Sequence, residues 1–306
     1  MILVCDVGGT RTRLALAAKT DDAWTLTGLE ESRTTSDVAA KIARYVAGKN
    51  VTAAAFGGAG PAEADGSIRL TNAGVVLEPA ALAKAAGVSR AVLVNDFRAI
   101  AEAIPYLPKP SLVPCGGRAA VPGEPVVVLG PGTGLGIAIA AMGPGGWHAI
   151  QGEGGHTDLA PVDHEELDVW QRLHRTHGRV SVETVLCGPG LERLYAAIAG
   201  RQLSAPEIDA AAWRGEPDAV RAHAIFTRWL GRVAGNLALI AGARGGVYLA
   251  GGILPRWTGH FDVAAFRRAF EDKAPYESWL AAIPSYLVTH SHPGLLGLAV
   301  LADGIS

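Results

Sequence analysis

The chain has 306 residues, 49% of them hydrophobic and 18% charged, a length comfortable for two domains with sizeable cores. A formal net charge of −2 without any long basic or acidic block excludes a nucleic-acid footprint and a membrane-attracted surface. Three isolated cysteines (Cys5, Cys115, Cys187), no leader pattern and no apolar run near the ~18–20 residues of a bilayer span exclude a disulfide framework and a cysteine–zinc site, so a soluble cytoplasmic protein is expected.

In chain order, Ile2–Asp6 reads as a buried strand ending on an acidic residue, and Arg13–Ala17 as the strand returning after a tight Gly8-Gly9-Thr10 turn. A helix is expected over Ser36–Ala47, a strand over Val51–Phe56 ending in Gly57-Gly58, and a helix over Pro79–Ala86. The next strand, Ala91–Val94, runs into Asn95-Asp96 and a helix through Arg98–Ile104. Such alternation implies crossovers and a mostly parallel sheet. Tyr106–Pro125 holds five prolines and little periodicity and reads as a domain junction.

Val126–Leu129 and Gly136–Ala141 then flank a second glycine-threonine turn, Gly130-Pro131-Gly132-Thr133-Gly134. Helical patterns follow over Glu165–His177, Ser181–Leu186, Leu191–Ala199, Ala205–Ala212 and Pro217–Gly242. The last presents Ile225, Trp229, Val233, Leu237 and Ile240 on one face, with Gly242 suited to its C-terminal cap. Strands Val247–Ala250, which enters Gly251-Gly252, and Ser285–Thr289 precede a closing helix, Gly294–Leu301, that would return to the first domain.

The familiar nucleotide loops are absent: there is no G-x-x-x-x-G-K-[ST], and Gly132, Gly134 and Gly136 lack the G-x-G-x-x-G spacing. Two glycine-threonine hairpins stand in their place. Glycines let backbone amides approach phosphate oxygens, the threonine hydroxyl adds a donor, and an acidic residue at the preceding strand end can hold magnesium. The alternative is a bare glycine hairpin with an exposed aspartate. Asn95-Asp96 is open in the same way: a turn and helix N-cap, or a carboxylate at a strand's carboxyl end that orients a hydroxyl and takes its proton. Glu153 and His156 flank Gly154-Gly155, and two adjacent glycines favour a loop presenting both side chains to one ligand.

Asp6–Thr10, Asn95-Asp96, Gly130–Gly134, Glu153-Gly154-Gly155-His156, Ser181-Val182-Glu183, Gly188-Pro189-Gly190-Leu191 and Ala250-Gly251-Gly252-Ile253 occur in one order. Together they resemble the bacterial glucokinase family of the hexokinase/actin-like ATPase superfamily, across the whole chain to Pro293–Gly297. The resemblance implies two ribonuclease-H-like α/β domains with an interdomain cleft, a small one over 1–108 plus 293–306 and a large one over 109–292. It implies ATP and Mg2+ as cofactors, glucose or a related hexose as partner, and a homodimer; the charge pattern adds the expectation of no nucleic-acid or membrane partner. By position, Asp6, Gly8, Gly9 and Thr10 would form the first phosphate loop, with Asp6 holding magnesium through water. Gly132, Thr133 and Gly134 would form the second, and Gly251 and Gly252 would border the adenosine. Asn95, Asp96, Glu153, His156 and Glu183 would hold the sugar hydroxyls, with Asp96 also the catalytic base that serves transfer to the 6-hydroxyl.

Two positions depart from the family pattern: Arg11 stands where asparagine is usual, and Thr71-Asn72 is followed by Ala73-Gly74-Val75 without the customary tryptophan. The second departure leaves another hexose or amino sugar open as substrate. A non-catalytic sugar sensor on the same fold is the alternative class. Regulators of that kind usually append a DNA-binding helix-turn-helix, whereas this sequence opens directly on its first strand.

Overall fold

The computed structural model describes residues 1–21, 23–70 and 74–305. Thr71, Asn72 and Ala73, which carry most of the second family departure, lie outside them. The chain divides into two compact units, one of 1–111, 138–151 and 290–306 and one of 112–137 and 152–289. In the sequence division 138–151 belongs to the large domain. Two hydrogen bonds show what ties it to the first unit: Trp147 Nε1 donates to Ala101 O at 3.0 Å, and Ala149 N to Glu102 Oε1 at 3.1 Å.

The elements are β1 (Ile2–Val7), β2 (Arg11–Thr20), β3 (Ala23–Arg33), α1 (Val38–Val46), β4 (Ala53–Gly58), β5 (Ile68–Leu70), β6 (Val75–Leu77), α2 (Pro79–Ala86), β7 (Ala91–Asn95) and α3 (Asp96–Ala103). There follow β8 (Leu112–Gly116), β9 (Val126–Pro131), β10 (Leu135–Gly143), β11 (Gly146–Gly152), α4 (His164–His177), α5 (Val182–Val185), α6 (Gly188–Ala199), α7 (Ala205–Trp213) and α8 (Pro217–Ala241). The chain closes with β12 (Gly246–Leu249), α9 (Val263–Glu271), α10 (Glu277–Ala282), β13 (Ser285–Val288) and α11 (Pro293–Asp303).

The first unit is built on a sheet of order β3-β2-β1-β4-β7. β1 pairs antiparallel with β2 across the Gly8–Thr10 turn and parallel with β4, which pairs parallel with β7. Because side chains alternate along a strand, β1 feeds both faces. Leu3, Cys5 and Val7 join a core with Ile42, Tyr45 and Leu82 of α1 and α2. Ile2 and Val4 join another with Ala99 of α3 and Leu295, Leu298 and Ala302 of α11, so the closing helix does belong to this unit. Helices covering both faces account for the almost uniformly apolar β1 and β4.

In the second unit the strands run β9-β12-β13-β8, with β9, β12 and β13 parallel and β8 antiparallel to β13. Helix α8 crosses α9 at backbone distance: a Cβ on Gly231 would stand 2.3 Å from Phe266 O, and one on Gly235 2.4 Å from Phe270 O. Gly242, at φ 62°, caps α8 in the left-handed region as its sequence position requires. The expected apolar face needs one correction, since Ile240 is 77% exposed while Ile225, Trp229 and Val233 are buried. The arginines on the other side are not free surface. Arg228 Nη2 meets Glu165 Oε2 at 2.6 Å, and Arg232 Nη2 lies 3.3 Å from the fully buried Glu166. No helix among the described residues is long and apolar enough to cross a membrane.

Candidate functional site

The first unit gathers Asp6, Gly8, Gly9, Thr10, Asn95 and Asp96 at one edge of its sheet. The register makes this unavoidable: Asp6 lies opposite Gly57, Val7 opposite Gly58, and Gly58 opposite Asn95, so β1, β4 and β7 end together. Ligands of open α/β sheets bind outside such carboxyl ends. The turn after β1 is tight, with Gly8 N donating to Arg11 O at 2.9 Å. Thr34 supports it from the far end of β3, its hydroxyl on Gly8 O at 2.7 Å and its N–H on Thr10 O at 2.9 Å.

Asp6 is a mostly buried carboxylate, and its side chain meets Arg13 Nη1 through Oδ2 at 3.3 Å. Burial pushes its carboxyl above the ordinary range, while the charge and hydrogen bond of Arg13 pull it back part of the way. Arg13 is itself held by Glu31, Nε to Oε2 at 2.7 Å, and Arg11 pairs with the same carboxylate. The departure at Arg11 thus reaches toward β3.

Asn95 and Asp96 do not sit on a separate turn. Asn95 is the last residue of β7 and the N-cap of α3, accepting from Phe97 N at 2.9 Å and Arg98 N at 3.2 Å. Its Nδ2 donates to Gly60 O at 3.0 Å. The capping role is therefore real, and it fixes the strand-to-helix junction that presents Asp96 as the first helical residue. Asp96 is half-buried, with Oδ1 accepting from Phe97 N at 2.9 Å.

The second unit gathers the remaining residues around the β9–β10 turn. Gly132 N donates to Gly134 O at 2.8 Å, closing Gly132-Thr133-Gly134. Gly251 and Gly252 lie beside it: Ala250 N donates to Leu129 O at 2.8 Å and Ile253 N to Pro131 O at 3.2 Å. Contact is so close that a Cβ on Gly251, at φ 85°, would be 2.5 Å from Pro131 O. Glu153 caps and His156 ends a single 3₁₀ turn, Gly154–His156, with Glu153 Oε2 and His156 Nε2 4.0 Å apart and both side chains over half exposed. Glu183 belongs to α5, whose first N–H, on Val182, donates to Thr157 O at 2.9 Å and so ties α5 to that turn.

Three contributors carry no obvious chemistry in sequence. Gly188, the first residue of α6, donates its N–H to Gly132 O at 2.9 Å, which gives the Gly188–Leu191 motif a task. Leu135 N–H donates to Glu183 Oε2 at 2.7 Å. Arg13, visible only as a charge in a strand, gains its place from the β1–β2 register that sets it opposite Asp6. Among the described residues no group of three or more His, Cys, Asp or Glu side chains is gathered to hold a metal.

Comparison with known proteins gives this arrangement its relatives. The family model described as Glucokinase matches residues 3–305. A glucokinase of Chromobacterium violaceum is 40% identical over 99% of this chain and 90% of its own length. The crystal structure of a glucokinase from an Antarctic psychrotroph superposes with a TM-score of 0.88 at 31% identity, covering 99% of this chain and 98% of the other. That of Balamuthia mandrillaris glucokinase in complex with glucose gives a TM-score of 0.84 at 23% identity, covering 99% of this chain and 93% of the other, a likeness of fold.

Proposed function

The chain belongs to the glucokinase family and is a hexose kinase, and on that premise we propose that it transfers the γ-phosphoryl group of Mg-ATP to the 6-hydroxyl of glucose, with Asp96 as the base. The observation that carries this reading is the shared edge in the first unit. A glycine-threonine turn preceded by a buried carboxylate and a helix that begins on Asp96 stand at the ends of parallel strands in one sheet. Phosphoryl transfer asks for little else: a nucleophilic hydroxyl in line, charge neutralisation at the phosphates, and a base for one proton.

On this reading Asn95, Glu153, His156 and Glu183 hold the sugar hydroxyls. Carboxylates, an amide and an imidazole suit a ring of groups that both donate and accept, because each polar group left unpaired in a closed site costs about 1–3 kcal/mol. Asp96 accepts the 6-hydroxyl proton as the oxygen attacks. Backbone N–H groups of Gly9-Thr10 and Thr133-Gly134, which do not close the turns as those of Gly8 and Gly132 do, face the phosphate oxygens, while Gly251 and Gly252 border the adenosine. A mostly buried carboxylate that belongs to no cluster of three or more metal-binding side chains among the described residues fits magnesium that arrives with nucleotide phosphates, since that ion is commonly held by one or two carboxylates plus substrate oxygens. Asp6 would hold it, through water, and the bound ion would supply charge neutralisation at the transferred group.

ADP release measured with a panel of hexoses tests the reading. Sugar-stimulated release, fastest with glucose, is expected. No stimulation by any hexose would sink the kinase assignment, and fast release with mannose or glucosamine but not glucose would keep the mechanism and change the substrate.

A further inference from the structure

Glu183 is the second residue of α5, yet its carboxylate is bonded to the end of the Gly132–Gly134 turn, where Leu135 N–H donates to Oε2 at 2.7 Å. The surroundings leave that oxygen little choice. A Cβ on Gly134 would stand 2.6 Å from the same Oε2, and a Cβ on Gly155 would stand 2.7 Å from Leu135 O and 3.6 Å from Glu183 Cβ. Helix α5 is fixed in turn by a capping box, Ser181 N donating to Thr184 Oγ1 at 3.0 Å and Thr184 N donating to Ser181 Oγ at 3.2 Å. The other end of the turn is held by Gly188 N–H on Gly132 O at 2.9 Å. Both ends of the turn are therefore clamped by one short segment, Ser181–Gly188.

We propose that Glu183 is a positioning residue for the second phosphate turn: Oε2 sets the turn through Leu135 N–H, Oε1 serves the hexose, and occupancy by the sugar thereby favours nucleotide binding. This rests on the kinase reading above and adds a coupling to it. A carboxylate shared between two sites transmits in both directions, because a coupling free energy is reciprocal. A charge-assisted hydrogen bond is among the stronger single contacts that can hold a glycine turn.

The test is the affinity of magnesium-AMPPNP, measured by calorimetry without sugar and then with saturating glucose, in the wild type and in Glu183→Ala, Glu183→Gln and Glu183→Asp. Without sugar, Glu183→Ala should bind the nucleotide about tenfold more weakly, the loss of one charge-assisted hydrogen bond. Glu183→Gln keeps a carbonyl oxygen for Leu135 N–H and should stay within about twofold of wild type while sugar binding falls. Should the alanine variant fail to fold, Glu183→Asp, one methylene too short to reach Leu135, is expected to show the same sugar-free loss. Unchanged sugar-free affinity in the alanine variant, or in the aspartate variant where that stands in, would overturn the proposal and leave Glu183 a sugar ligand only. A wild type that binds no nucleotide and releases no ADP with any hexose would instead sink the kinase reading itself.

Discussion

Arg13 stands directly across the β1–β2 ladder from Asp6, its Nη1 3.3 Å from Asp6 Oδ2. The guanidinium is anchored from the other side by Glu31 on β3, Nε to Oε2 at 2.7 Å. A carboxylate taken mostly out of water thus keeps a charged partner whose own position is fixed. Removing that partner should be costly in a way that removing both is not.

Arg13→Met is expected to lower stability by about 1–3 kcal/mol, because Asp6 is then left buried and underpaired. Asp6→Asn in the same chain should recover part of that loss, a coupling that a double-mutant cycle in urea unfolding reads directly. Additive losses would show that the two side chains act independently.

Helices α3 and α11 meet where a glycine allows it. A Cβ on Gly297 would fall 1.7 Å from Ala99 O and 3.2 Å from Ala103 N. Gly297→Ala should therefore cost about 3 kcal/mol or more through overpacking, against backbone that cannot step aside. Urea denaturation measures it, and a change under about 0.5 kcal/mol, typical of a surface site, would contradict the close crossing.

Glu102 gives a pH signature. It is buried, accepts Ala149 N–H at 3.1 Å and lies 4.0 Å from Arg98. Burial raises its carboxyl above the ordinary value, and the Ala149 N–H and Arg98 offset only part of the shift. Below the ordinary carboxylate range the group is protonated whether folded or unfolded, so it carries no penalty there. As pH rises from that value through the raised folded value, the unfolded chain ionises first and the folded state loses stability. Above the window the loss is constant. Glu102→Gln keeps an acceptor for Ala149 and cannot ionise, so its stability relative to wild type should grow with pH through the window and then level. Thermal melts across pH read this, and a difference that shrinks as pH rises would contradict it.

The strand ends were legible because their chemistry is local. An acidic or amide residue closing an apolar run marks β1 and β7, and glycines at the end of the run mark β1 and β9, without knowledge of any partner. β3 was not, since Ala23–Arg33 is mostly exposed and its apolar alternation stops after Trp24 and Leu26. β8 hides in the proline-rich stretch read as a junction, where pairing with β13 makes it a strand. Ile240 looked buried because periodicity alone cannot say where the covering element stops. Within the site, side chains with their own chemistry could be named from sequence. Leu135 could not, and Gly188 was visible only as part of a motif without a role, as each contributes only a backbone N–H whose direction depends on the fold. Asn95 was readable as a cap and as a ligand, and the structure establishes the cap.

The proposed base is tested most directly by Asp96→Asn, which keeps the shape of the first residue of α3 while removing the carboxylate. The rate of glucose-dependent ADP formation at saturating substrates should fall by about 10²–10⁴-fold, the range of a general base. The affinity for magnesium-AMPPNP should stay within about twofold, as for a group that acts only on the reacting hydroxyl. A variant that turns over within about tenfold of wild type would contradict Asp96 as the base.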